Sequence, residues 1–140
     1  MVAGFAFTSC SDDDGDAPAQ QASITGKWYY AQQGTNFMGQ DVGFTNYPFH
    51  TQGCEKDNMV LGTDNSYKEY EYETAATGCT EEEVLSSTYT MGNSSITFGT
   101  GASADTWEIE SVTENTMRIR QAQTMEGQTY YEVQTYTRQQ

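Results

Sequence analysis

The side chains that could do chemistry in this chain are few and poorly spaced for it. The single histidine, His50, stands in an irregular stretch, so any Ser-His-Asp or Cys-His arrangement would have to pass through it. No Gly-X-Ser-X-Gly elbow, phosphate loop or His-rich metal pattern occurs. Cys54 and Cys79 lack the CxxC spacing of thiol redox catalysts. Carboxylates are plentiful. Glu69, Glu71 and Glu73 alternate along one strand and share a face, a pattern that a cation could use but that solvent ordinarily satisfies. Glu81-Glu82-Glu83 lie beside Cys79 and are expected to face water. Asp57, Asn58, Asp64 and Asn65 bracket a short apolar run, where they suit turn hydrogen bonds, and no EF-hand spacing is present. A pair of acids for glycoside hydrolysis would need a cleft to hold them. These residues therefore predict a protein without catalysis, cofactor or bound metal.

Charge narrows the partners. The formal net charge is −14, from 6 Lys+Arg against 20 Asp+Glu. Asp12, Asp13, Asp14 and Asp16 fall in one N-terminal run, so the remainder still carries −14 + 4 = −10. Such a surface repels phosphate backbones and anionic lipid heads, which argues against nucleic acid and peripheral membrane binding. Solubility is the plain explanation of the charge. No apolar run reaches the length of a membrane-spanning helix. Three cysteines leave one over after any pairing.

The elements that must position these residues read as β throughout. Thr and Tyr are abundant, proline occurs only at Pro18 and Pro48, and Gly/Asn turns recur every eight to twelve residues. Eight strands are predicted: Gly26–Gln33, Met59–Leu61, Tyr67–Thr74, Leu85–Met91, Ser95–Phe98, Asp105–Val112, Met117–Gln123 and Gln128–Thr137. Turn chemistry joins several of them, at Gly62-Thr63-Asp64-Asn65, Gly92-Asn93, Thr113-Glu114-Asn115 and Glu126-Gly127. Alternation assigns faces: Trp107 and Ile109 against Glu108 and Glu110, Met117 and Ile119 against Arg118 and Arg120, Tyr131 and Val133 against Glu132 and Gln134. Strands with one dry and one wet face belong to antiparallel sheets, and eight in succession can close into an up-and-down barrel. Opposed charges such as Glu108 or Glu110 with Arg118 or Arg120 are expected across the outer face. In the third strand Tyr70 and Tyr72 are taken as inward and the glutamates as outward. The segment from Gly34 to Asn58 is long for a loop and rich in aromatics, including Phe37, Phe44, Tyr47 and Phe49. It is expected to cover one end of the barrel or to line a ligand mouth.

The front of the chain resembles a bacterial lipoprotein signal. Val2 to Ser9 is apolar to small throughout, and Phe7-Thr8-Ser9-Cys10 stands where a lipobox places small residues before the acylated cysteine. The missing Lys/Arg region implies a true start upstream of Met1 or a clipped front. Ser11-Asp12-Asp13-Asp14 resembles the signal that exports lipoproteins of the Bacteroidetes group to the cell surface. On this resemblance residues 1–9 are a signal peptide, 10–22 a lipidated cysteine with an acidic flexible tether, and 23–140 the folded domain. The protein would be outer-membrane anchored through lipid on Cys10, facing outward.

Gly26-Lys27-Trp28 matches the Gly-X-Trp start of the lipocalin barrel, and Thr137-Arg138 ends the last strand where that family places an arginine on the tryptophan. Arg138 is thus expected to pack on Trp28, with Arg120 as the alternative. The chain also resembles the lipocalin-like lipoproteins of the Bacteroidetes through Cys54-Glu55-Lys56-Asp57-Asn58-Met59, Asp64-Asn65-Ser66-Tyr67 and Gly78-Cys79. The resemblance implies a Cys54–Cys79 disulfide in an oxidising compartment, with two free thiols as the alternative. Alternation and the aromatic-rich segment predict an interior and mouth lined by Tyr30, Phe37, Phe44, Tyr70, Tyr72, Tyr89, Trp107, Met117 and Tyr131. Barrels of this size either fill with side chains or hold one small ligand. A small apolar or amphipathic ligand is expected, with a protein partner as the alternative and carbohydrate on Tyr29, Tyr130 and Tyr136 behind both.

Overall fold

A computed structural model describes residues 22–140. Cys10 and nearly all of the expected tether lie outside the described residues. Nine strands run in chain order: β1 Gly26–Phe37, β2 Gln40–Asn46, β3 Asn58–Leu61, β4 Ser66–Ala75, β5 Gly78–Met91, β6 Ser95–Phe98, β7 Asp105–Val112, β8 Thr116–Met125 and β9 Gln128–Thr137. All pairings are antiparallel, and β1 bonds to β9, so β1 and β3–β9 form a closed eight-stranded up-and-down barrel. Closure satisfies the backbone groups that an open sheet would leave at its edges.

The expected eight strands are present, several of them longer. A ninth, β2, lies inside the segment expected to be loop. β1 continues to Phe37 and turns back through Met38-Gly39, so that β2 pairs with Gln32–Phe37 on the side of β1 that β3 occupies lower down. Residues 47–57 then run beside β1, with Tyr47 N–H donating to the Ala31 carbonyl and Tyr30 N–H to the Asp57 carbonyl. They patch the wall between β2 and β3.

The barrel is closed at one end and open at the other. Trp28, Met59, Leu61, Ile96, Met117 and Ile119 are completely buried and fill the closed end. Trp28 donates its indole N–H to the Ile24 carbonyl at 2.7 Å. Arg138 lies with its guanidinium 3.9 Å from the Trp28 ring and donates to the carbonyls of Thr25 and Ser23. Gly26 makes this approach possible. Its φ is +118°, and a Cβ there would stand 2.5 Å from the Arg138 Nη1. The other end carries the β1–β2, β4–β5 and β8–β9 turns and a short 3-10 turn at Gly101–Ser103.

Two strands face the opposite way from their alternation. Met117 pairs with Tyr136 and Ile119 with Gln134, so Tyr136, Gln134 and Glu132 point inward and Val133 and Tyr131 point outward. Val133 is nonetheless buried because it pairs with Gly34, whose bare Cα lets the Phe44 ring from β2 lie flat across the outer face. Arg118 sits over that ring at 5.2 Å and donates to Asp41 of β2 from both terminal guanidinium nitrogens, at 2.7 and 3.0 Å. In β4, Leu61 pairs with Tyr67 and Met59 with Glu69, which turns Tyr67 and Glu69 inward. Lys68 and Tyr70 point out, where both donate to Glu83.

Candidate binding site in the open end of the barrel

The half of the lumen above the packed core is hollow. A cavity of about 320 Å3 is lined from β1 by Tyr30, from β4 by Tyr67 and Glu69, from β5 by Leu85 and Ser87, from β7 by Asp105 and Trp107, and from β9 by Gln134 and Tyr136. Trp107 and Gln134 are shared with a second hollow of about 370 Å3, bounded by Gln33, Thr35 and Glu132 among others. Pairing explains why these side chains converge. Trp107 is opposite the buried Ile96, and Asp105 is opposite Phe98, so both inherit the inward face of β6. Gln134 is opposite Ile119 and inherits the inward face of β8.

The floor is aromatic and the walls are polar. Tyr30 and Tyr136 lie with ring centroids 5.2 Å apart, and Tyr67 packs on Phe98 at 4.7 Å. The Tyr67 hydroxyl donates to the Glu69 carboxylate. Burial, then the negative charge of Glu69, pushes the Tyr67 phenol well above the usual tyrosine range. Burial does the same to Tyr30 and Tyr136, again with Glu69 contributing. All three therefore stay protonated and can donate. On the far wall Trp107 donates its indole N–H to Asp105 at 2.8 Å, and the Gln121 amide donates to the same carboxylate. The lumen thus offers flat apolar faces beside carboxylates bonded only to neutral donors.

Of the residues expected to line the interior, Tyr30 and Trp107 do so. Phe37 sits partly exposed at the rim, at the end of β1. Met117 and Tyr89 belong to the packed core below, with the Tyr89 hydroxyl bonded to the Gly62 carbonyl. The others are corrected. Phe44 crosses the outer face over Gly34. Tyr131 lies outside beneath Arg120, whose guanidinium is 4.3 Å from its ring. Tyr70 is outside beside Lys68 and Glu83. Tyr72 shares that outer side, where its hydroxyl donates to Glu81, and it is buried. Tyr136, one of the three tyrosines expected to meet carbohydrate on the surface, is buried. Sequence reasoning missed Tyr67, Glu69, Asp105 and Gln134. The one signal that could have found them was that inward polar residues suit a barrel whose lumen is wet.

His50 is fixed rather than poised. Its Nδ1 accepts from the Asp57 backbone N–H at 3.1 Å, so Nε2 carries the proton and donates to the Tyr30 carbonyl at 2.8 Å. The ring is held between two backbone groups and against Tyr47 at 4.8 Å. Asp57, also buried, accepts the Tyr72 backbone N–H at 3.1 Å. Cys54 and Cys79 are joined in a disulfide, with Cα atoms 5.6 Å apart, tying this patch to the start of β5. Among the described residues no group of His, Cys, Asp and Glu is arranged to hold a metal ion.

No protein-family model matches the sequence, and no curated protein is similar to it. Similar solved structures include a bovine odorant-binding protein (a deswapped triple mutant), at 11% identity and TM-score 0.41 over 82% of this chain and 73% of that one. Lipocalin 12 from rat epididymis has 14% identity and TM-score 0.45 over 83% and 66%. A dog lipocalin allergen has 13% identity and TM-score 0.41 over 84% and 74%. Scores of this size decide nothing, and the fold assignment rests on strand order and pairing.

Proposed function

We propose that the protein is a surface-exposed outer-membrane lipoprotein, acylated on Cys10, whose barrel holds one small amphipathic molecule in its open end and catalyses nothing. The observation that carries the binding reading is the division of the lumen. One end is filled, while the other leaves a cavity of about 320 Å3 between aromatic faces and polar walls. That size is at the lower end of small-molecule sites, which combine apolar surface with a few placed polar groups. The polar lining favours an amphipathic occupant over a purely apolar one. The first described residues lie at the closed end, where Arg138 bonds to Ser23, so a tether leaving there would point the open end away from a membrane. The expected partner role of the membrane is anchoring alone.

Tryptophan fluorescence tests the binding reading, because Trp107 lines the cavity and Trp28 is sealed beneath it. Titration with small amphiphiles is expected to change the emission of wild type and not of Trp107→Phe; a flat response from wild type across such a panel removes the carrier. The anchor has its own test. Palmitate fed to expressing cells is expected to label the wild type and spare Cys10→Ala. A protein-partner reading draws support from apolar side chains exposed outside the barrel, Met38 at 87% and Phe49 at 68%. Pull-down with Met38→Ser and Phe49→Ser as controls would separate it from the carrier.

A further inference from the structure

We infer that the molecule held in the open end is an organic cation: an amphipathic ammonium compound whose charge sits between Glu69 and Asp105 and whose body lies against Tyr30, Tyr67 and Trp107. The inference rests on the carrier reading and names its ligand class.

Glu69 from β4 and Asp105 from the start of β7 line the same cavity, and no Lys or Arg lines it with them. The chain has 6 such residues and each is placed elsewhere. Lys27 pairs with Glu55, Lys68 with Glu83, Arg118 with Asp41 and Glu110, and Arg120 with Glu108 and Glu110. Arg138 covers Trp28 at the closed end, and Lys56 borders a different hollow. Glu69 is half-buried and Asp105 stands exposed at the rim, and the side chains bonded to both are neutral donors, so neither charge is matched by a cation of the chain itself. The faces around them are tyrosine and tryptophan, the rings that attract a cation most strongly through their quadrupole. A carboxylate-headed amphiphile entering the same space would meet two like charges. The chain's net charge of −14 adds a field that draws cations and turns anions away.

The experiment compares three probes of equal chain length with different heads: decyltrimethylammonium, decanol and decanoate, each titrated calorimetrically into the full chain with Cys10→Ser. The ammonium is expected to bind tightest, with decanoate weaker by at least about tenfold. Glu69→Gln with Asp105→Asn is expected to weaken the ammonium by about tenfold and to leave decanol unchanged, which also reports that the doubly substituted barrel is folded. Decanoate binding as tightly as the ammonium, or an ammonium affinity indifferent to the double substitution, overturns the inference while the carrier stands. Binding of none of the three overturns both.

Discussion

Arg138 holds the closed end together in three ways: over the Trp28 ring, on the carbonyls of Thr25 and Ser23, and against the bare Cα of Gly26. Arg138→Ala removes a cation–π contact and two charged hydrogen bonds, so chemical denaturation is expected to show a loss of about 2–4 kcal/mol. Arg138→Lys should recover little, since an ammonium cannot lie flat on the indole while reaching both carbonyls. The buried tyrosines supply a second prediction at this scale. Tyr30, Tyr67 and Tyr136 have their phenol pKa values raised, mainly by burial, and Tyr47 is pushed up to about 12. A folded pKa above the unfolded value of about 10 gives stability that is complete below that pH and is lost as pH rises beyond it. Phenolate absorbance should therefore rise in two stages, the exposed tyrosines first and these four, together with the buried Tyr72 and Tyr89 whose phenols burial also raises, only with alkaline unfolding. A single transition covering all ten tyrosines would contradict the burial.

At the scale of elements, the patch of residues 47–57 depends on covalent and polar ties rather than on a strand ladder. The Cys54–Cys79 disulfide closes a separation of 25 residues, and its removal by Cys54→Ser with Cys79→Ser is expected to cost about 3 kcal/mol, read as a lower melting temperature. β2 depends on the side chains laid across Gly34. Gly34→Val would drive a side chain into the Phe44 ring, which now lies 2.4 Å from the site of a Cβ. The expected cost is about 1–3 kcal/mol, with amide exchange accelerated in β2 and little changed in β7 and β8. Arg118, beside Asp41, holds that carboxyl below the usual range, as Arg120 does for Glu108. Their contribution is present above the ordinary carboxylate pKa and fades as pH falls through the lowered one. The strands of the second half were legible because β7 and β8 each have a dry face against a charged one. β9 was misread: its outward Val133 and Tyr131 are covered by Phe44 and Arg120, while its inward Glu132 and Gln134 line a hollow. Alternation reports which residues are wet, and a barrel open at one end is wet on both faces.

For the whole molecule, the closed antiparallel barrel followed from turn spacing and β-rich composition, and the Gly26-Lys27-Trp28 start fixed which strand comes first. β2 was hidden because Phe37 to Phe49 reads as an aromatic-rich loop, without the clean alternation that marks a half-buried strand. The candidate site was half legible. Tyr30 and Trp107 stood out as inward aromatics, but Glu69 and Asp105 could not, since a carboxylate in a strand is ordinarily assigned to solvent. Their placement makes the open end negative inside a molecule already negative outside.

β2 also changes how the molecule meets copies of itself. Closing a sheet into a cylinder uses up every strand edge, and β2, added outside the cylinder with β1 as its only partner among the described residues, restores one. A free row of N–H and C=O groups is a template for strand addition by another chain. Here the row spans only Gln40–Asn46, its register breaks where Gln33 and Thr35 face it, and it carries the Asp41 carboxylate. Among the described residues this is where strand addition by a second copy would begin, on a strand that Asp41 clamps to Arg118.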